Sequence, residues 1–303
     1  MTTTLTPRQS EPAPGVEEAL RRRRVPIREG VFKGVLILSL AVGVVFLAVL
    51  VSYIVYRGWP RLDSRLFNNF PSIRRPQNAG ARSAILGTVW VIAFTALYCL
   101  PTGVLAAIYL EEYADNRRWH NRLIEVNIQN LAAVPSIVYG ILGLGIIARG
   151  LGFGQTVLTA SLTLSLLVLP IVVISAREAI RSVPNSIRLA SYAVGATKWQ
   201  TISRQVMPQA IPGIATGAIL ALSRAIGEAA PLLLLGGLTF ITYTPTGIHS
   251  SFTVLPIQIF NWISQSREEF ATLAAAASVV LLVILLAMNS VAIYLRNRYQ
   301  KRW

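Results

Sequence analysis

Long runs without a single charge constrain this chain more than any other feature. Residues 34–56, 83–110, 126–148, 150–176 and 270–295 contain no Asp, Glu, Lys or Arg. Each exceeds the roughly 20 residues that carry a helix across a bilayer. A sixth run, residues 211–238, is apolar apart from Arg224 and Glu228. Backbone in lipid must satisfy its own hydrogen bonds, so these runs predict helices. The fold class is therefore an all-α polytopic membrane protein with six transmembrane helices.

Composition agrees, since 53% apolar against 14% charged residues is too apolar for a water-facing surface. The net charge of +15 does not indicate nucleic acid, because no water-exposed basic face with aromatic readers accompanies it. Topology accounts for it instead. Residues 1–33, 111–125, 177–204 and 296–303 hold 19 of the 28 Lys and Arg, which places them, and both termini, on the cytoplasmic side. Arg57, Arg61, Arg65, Arg74, Arg75 and Arg82 crowd the first outer loop against this trend. Cys99 is the sole cysteine, which excludes a disulfide framework and reads as a small buried residue. His120 and His249 lie in different loops without ligand spacing, so no metal site is indicated.

Residues 1–30, with the run Arg21–Arg24, lack hydrophobic periodicity and read as a solvated basic tail whose neighbour is anionic lipid. A signal peptide is disfavoured by the long hydrophobic run that follows. In the third outer loop, PIQIFNWISQ places Ile257, Phe260 and Trp262 in a pattern suited to a short interfacial or re-entrant helix.

The connection from the fourth to the fifth run is patterned rather than passive. Pro184 halts one helix, Asn185 is placed to cap the next, and Ile187, Ala190, Ser191 and Val194 recur at helical spacing. Gly195 supplies a stop, and Thr197 with Gln200 forms a capping box for a second short helix carrying Trp199, Ile202 and Val206 up to Pro208. The alternative is an interfacial hairpin without a partner.

This segment resembles the EAA loop of bacterial ABC importer permeases, with Ala190, Gly195 and Pro208 at matching positions. Leu189 stands for the Glu, Ser191 for the second Ala, Gln205 for the Ile and Met207 for the Leu. LPTGVLAAIYLEEYA, AAVPSIVYGILGLG, VGATKWQTI and RAIGEAAPLLLLGG are similar to the PstA-type permeases of phosphate importers. The resemblance implies a type I importer permease fold over residues 31–303, with a peripheral first helix and residues 177–210 as the coupling loop. It also implies four kinds of partner: a second, PstC-type permease, two PstB-type ATPase copies, a PstS-type external phosphate-binding protein, and membrane lipid. Coupling is expected at Asn185, Arg188, Ala190, Gly195, Thr197, Lys198, Trp199 and Pro208. None of the three lysines follows a phosphate-binding glycine loop, so ATP and Mg are expected on the partner ATPase, with no cofactor and no catalytic site here.

Gly213, Gly217, Ala221 and Ala225 form a small-residue seam that either meets a partner permease or packs within the subunit. Arg224 and Glu228 are helical neighbours, about 18 Å beyond Pro212 at 1.5 Å per residue and so near the bilayer midplane. An Arg there costs on the order of 3 kcal/mol on insertion scales and needs water or a partner. The pair either lies on an anion path, together with Arg177 and Ser136, or is a salt bridge bracing a helix kinked by Gly227 and Pro231. Arg177 also suits an ordinary boundary charge, and Ser136 ordinary helix packing. A permease for sulfate or molybdate and a self-contained secondary transporter or channel are the alternatives, although no internal repeat is visible. A membrane enzyme has no nucleophile or paired acids to support it.

Overall fold

The computed structural model describes residues 27–115, 117–237 and 241–299. Among these the elements are helical, and the only extended pairing is an isolated bridge between Thr156 and Ser251. The chain divides between Tyr53 and Ile54 into two compact units. Helix α1 (Ile27–Gly58) is continuous and apolar, with large side chains such as Phe32, Leu40 and Phe46 exposed. It starts inside the segment assigned to the basic tail, just after Pro26, and the remainder of that tail lies outside the described residues.

In the second unit, α2 (Ser64–Asn68) is capped by Asp63, whose Oδ1 accepts from the Leu66 amide at 3.1 Å. Several arginines of this loop are structural braces. Arg61 donates to the carbonyls of Gln77 and Ala79 at 2.7 and 2.8 Å, Arg57 pairs with Glu268, and Arg82 lies over the Phe70 ring.

Helix α3 (Arg82–Tyr113) packs along α6 (Val157–Arg181), the most buried span. Hydroxyls join them where lipid offers no alternative: Ser161 donates to the Val91 carbonyl at 3.2 Å and Ser165 to that of Thr95 at 3.2 Å. Helix α8 (Lys198–Gly227) packs on another face of α6, and α11 (Glu268–Tyr299) packs on α8. Among the described residues five helices are long and apolar enough to cross a membrane, or six when a bent pair counts as one span.

That pair covers the third run, which is therefore not one unbroken helix. Helices α4 (Trp119–Ala133) and α5 (Ser136–Gly150) meet at 107°. Pro135 disfavours a helical Val134, which is extended at ψ 130°, and Pro135 has no N–H for the Leu131 carbonyl. The Tyr139 hydroxyl supplies that donor across the break, at 2.7 Å from the Leu131 oxygen. The run over residues 211–238 also ends early: α8 stops at Gly227, and α9 (Ala230–Leu234) follows with Pro231 in its first turn.

Three further expectations are corrected. Asn185 does not cap α7 (Asn185–Ala193). Pro184 holds the cap position at ψ 139°, leaving Asn185 one residue too late for its side chain to reach back. Pro208 does not end a short helix, because a wider π turn over Ile202–Val206 absorbs its missing N–H and α8 runs on. Helix α10 (Leu255–Ile263) is not simply interfacial, since Ile257 and Trp262 are buried in protein and Phe260 alone of the three is exposed.

The small-residue stripe of α8 meets α6. A Cβ on Gly213 would stand 2.6 Å from the Ala179 Cβ, and one on Gly217 would overlap Ser175, while Ala221 and Ala225 are buried. Gly217→Val is expected to lower the thermal midpoint of the purified protein, at a cost on the order of 2 kcal/mol from overpacking. Gly145→Ala, with nothing near the methyl it would add, is the control and leaves the midpoint within a degree or so of wild type.

Candidate functional site

Two regions carry the charged residues singled out in the sequence. One α8 helix joins them. The first region lies where broken helices meet. The α8 terminus at Gly227, the α4–α5 break and α9 are adjacent, since a Cβ on Gly140 of α5 would stand 2.7 Å from the Pro231 Cα. Tyr139 and Val134 share a core with Ala221 and Ala225, one residue from Arg224. Discontinuous helices inside a membrane leave backbone ends that must face protein or a water-lined path.

Arg224 Nε donates to Glu228 Oε1 at 3.1 Å. The pair forms although Glu228 has left the helix, at ψ 105°. Glu228 is the more enclosed partner, at 18% side-chain exposure against 46% for Arg224. The two η nitrogens of Arg224 make no hydrogen bond among the described residues, so one edge of the guanidinium is open for a second anion. Ser136 opens α5 beside the break and is half-buried.

Arg177 is not with them. It belongs to the second region, where Nη1 donates to Glu125 at 3.0 Å and Nε pairs with Glu111 at 3.5 Å. A recess of about 140 Å³ beside it is lined in part by Glu125, Arg177 and Glu178 together with Ile128 and Ile174. Arg181 donates from Nε and Nη2 to the two Glu111 oxygens, both at 2.9 Å. Arg188 pairs with Glu112, with Nη2 at 2.8 Å. These bonds tie the ends of α3, α4 and α6 to α7.

The loop itself is a compact corner. Gly195 turns it at φ +83°, a left-handed conformation that side chains resist. Thr197 and Gln200 form the capping box, with bonds of 2.8 and 3.3 Å. Ser191 and Thr201 hydroxyls, 2.9 Å apart, bind α7 to α8, and Lys198 Nζ lies 4.6 Å from the centre of the Tyr113 ring. Asn185 and Ala190 are exposed, as is Pro208 within α8. Leu189, Tyr192, Val194 and Trp199 also face outward, Val194 at 84% and Trp199 at 62% exposure. Four large apolar groups are thus exposed together at one corner.

The match with known sequences decides the family. Residues 99–301 fit the family described as the inner membrane component of binding-protein-dependent transport systems. The chain belongs to that family. It is thus a multi-pass membrane protein and a transport component. A probable ABC transporter permease protein, YqgI of Bacillus subtilis (strain 168), is 32% identical over 84% of this chain and 90% of its own length. Phosphate transport system permease protein PstA 1 of Mycobacterium tuberculosis (strain ATCC 25618 / H37Rv) is 31% identical over 91% of this chain and 89% of its own.

Among solved structures, a bacterial alginate ABC transporter in complex with its pentasaccharide-bound periplasmic protein aligns with a TM-score of 0.61. That match covers 93% of this chain and 99% of the other at 16% identity. The methionine transporter MetNI, inward facing, aligns at 0.57 over 73% and 96% with 17% identity. These two establish the type I importer permease fold.

Gly227 and Pro231 were legible as a kink, but the Tyr139 hydroxyl was not, because its acceptor loses its helical amide only through the bend. Glu111, Glu112 and Glu125 were also missed. Their meaning depends on arginines 52 to 76 residues away. Tyr139→Phe, which leaves the Leu131 carbonyl with only the longer Val134 amide bond, is expected to destabilise the purified protein by about 1 kcal/mol. Thermal unfolding in detergent checks it, and a midpoint equal to wild type removes the role assigned to this bond.

Proposed function

We propose that this chain is the permease subunit of an ATP-driven importer for inorganic phosphate, forming half of the translocation path. Its full-length likeness to the mycobacterial phosphate permease carries this reading. The open guanidinium edge of Arg224 supports it, because a phosphate dianion needs a donor that desolvates readily and binds in a bidentate manner. Glu228 holds the Nε edge, which weakens the site enough for the anion to leave. Arg177 and Ser136 belong to the proposed path at separate places, Ser136 beside the midplane break and Arg177 at the exit.

The proposed partners are a second, homologous permease subunit, two copies of an ATPase that bind ATP and Mg, and an external phosphate-binding protein. The corner of α7 and α8 is the ATPase contact, with Asn185, Ala190, Val194, Gly195, Thr197, Lys198 and Trp199 on or beside the docking face and Pro208 within the helix behind it. This end is cytoplasmic, as are both termini, by the distribution of Lys and Arg. From Thr201 to Arg224 the chain is one helix of about 35 Å at 1.5 Å per residue, continuous through the π turn at Ile202–Val206, so a push at the corner is carried along it to the charged pair.

Arg224→Gln removes the charged donor and is expected to cut phosphate uptake about 100-fold, in line with the loss of charge-assisted hydrogen bonds, while the complex still co-purifies. Uptake is read with radiolabelled phosphate and sulfate in vesicles supplied with binding protein. Sulfate uptake in place of phosphate overturns the substrate assigned, and collapse of the complex makes the pair a structural brace. Val194→Asp places a charge in the docking face and is expected to lower recovery of the ATPase on co-purification by about tenfold. Equal recovery moves the contact elsewhere.

A further inference from the structure

Arg188 is the most heavily used side chain of the coupling corner, and its bonds point away from the docking face. Nη2 and Nε both reach Glu112 Oε1, at 2.8 and 3.2 Å. Nη1 donates to the Val183 carbonyl at 2.7 Å, and Nη2 to that of Ile180 at 3.0 Å. Ile180 lies in the last turn of α6, where its carbonyl also accepts the Val183 amide at 3.3 Å, and Val183 lies in the turn that leads to α7. One guanidinium therefore closes the α6 terminus, fixes the first turn of α7 and holds the end of α3.

The pair is more enclosed than the other ion pairs among the described residues, with side-chain exposures of 14% for Arg188 and 7% for Glu112. Enclosure decides its weight. An exposed ion pair contributes little, but removing one partner of an enclosed pair leaves an uncompensated charge that water reaches poorly. Arg181 and Glu111 lie next door, yet Arg181 is 63% exposed and its side-chain hydrogen bonds among the described residues go to Glu111. Along the sequence Glu112 ends α3, in the π turn Tyr109–Tyr113, whereas Leu189, where the family's loop pattern has Glu, faces outward.

We propose that Glu112 is a positioning residue for energy coupling: through Arg188 it makes α7 and the end of α3 move as one body, so that displacement of the docking corner drives α3 as well as α8. This rests on the reading of α7 and α8 as the ATPase contact. Helix α8 receives the displacement through the backbone, since it begins at the corner itself. Helix α3 has no such continuity. Apolar packing of Ala107 and Leu110 against Val183, Ile187 and Val206 brings it to the corner, and the directional links there among the described residues are the Glu112–Arg188 pair and the stacking of Lys198 on Tyr113. The pair gives the second moving helix, and without it α8 moves while α3 lags.

The test uses the intact complex in vesicles with its binding protein, and reads phosphate moved per ATP hydrolysed. That ratio is insensitive to how much complex assembles. Glu112→Gln is expected to lower it about tenfold, and Glu112→Gln with Arg188→Gln to be no worse than Arg188→Gln alone, as for two residues acting as a unit. Glu112→Cys with Arg188→Cys, bridged by a short bifunctional maleimide, is expected to recover most of the ratio, since a covalent link replaces the ion pair. An unchanged ratio in Glu112→Gln, losses that multiply in the double variant, or no recovery on bridging each overturn the proposal. Wild-type vesicles separate this from the substrate reading: ATP hydrolysis stimulated by the binding protein without phosphate movement sinks phosphate as cargo. The coupling test then runs on that stimulation instead.

Discussion

Lipid supplies no hydrogen bonds, and that single deficit shapes the structure at every level. Where helices run unbroken, backbone groups satisfy one another and side chains need only fill space, as the α3–α6 and α6–α8 seams do with Gly, Ala, Ser and Thr. Where a helix breaks, a carbonyl loses its regular helical amide and a side chain can supply a further donor. At the α4–α5 bend the Tyr139 hydroxyl reaches the Leu131 carbonyl, and at the end of α6 Arg188 reaches those of Ile180 and Val183. These side chains do two jobs, because each bond that reaches a carbonyl also fixes the angle between two segments.

The same deficit explains why the charged groups fall into two sets with different characters. Beside the α7 corner, Glu111, Glu125, Arg177 and Arg181 neutralise one another in one network, and Glu112 and Arg188 form a separate pair. Arg224 and Glu228 form a pair at the broken ends of helices, and there the guanidinium keeps an unused edge. One helix, α8, runs from the corner beside the first set to the second.

Much of this was legible in the residues. Charge-free runs gave the spans because burial of a long apolar helix in lipid outweighs local preferences, and Gly195 and the Thr197–Gln200 box marked their turn because those residue types act through neighbouring backbone. Proline was less readable. Pro135 breaks a span, whereas Pro101, Pro170, Pro208 and Pro212 sit inside helices that continue. The local chemistry is the same in all five. The difference lies in what surrounds each one: a π turn precedes Pro208, while at Pro135 the Tyr139 hydroxyl and the close contact of Gly140 with Pro231 stabilise the bent form.

The sequence by itself determined the helical class, the number of apolar runs, the turn at Gly195 and the adjacency of Arg224 and Glu228, all of which depend on composition or on residues within one turn of each other. Tertiary structure decided the rest. It bent the third span, set the small-residue stripe of α8 against α6, buried α10, and joined Glu112 to Arg188 across 76 residues. Such pairings depend on which helix ends arrive at the same place, and a one-dimensional pattern of charges carries no record of that.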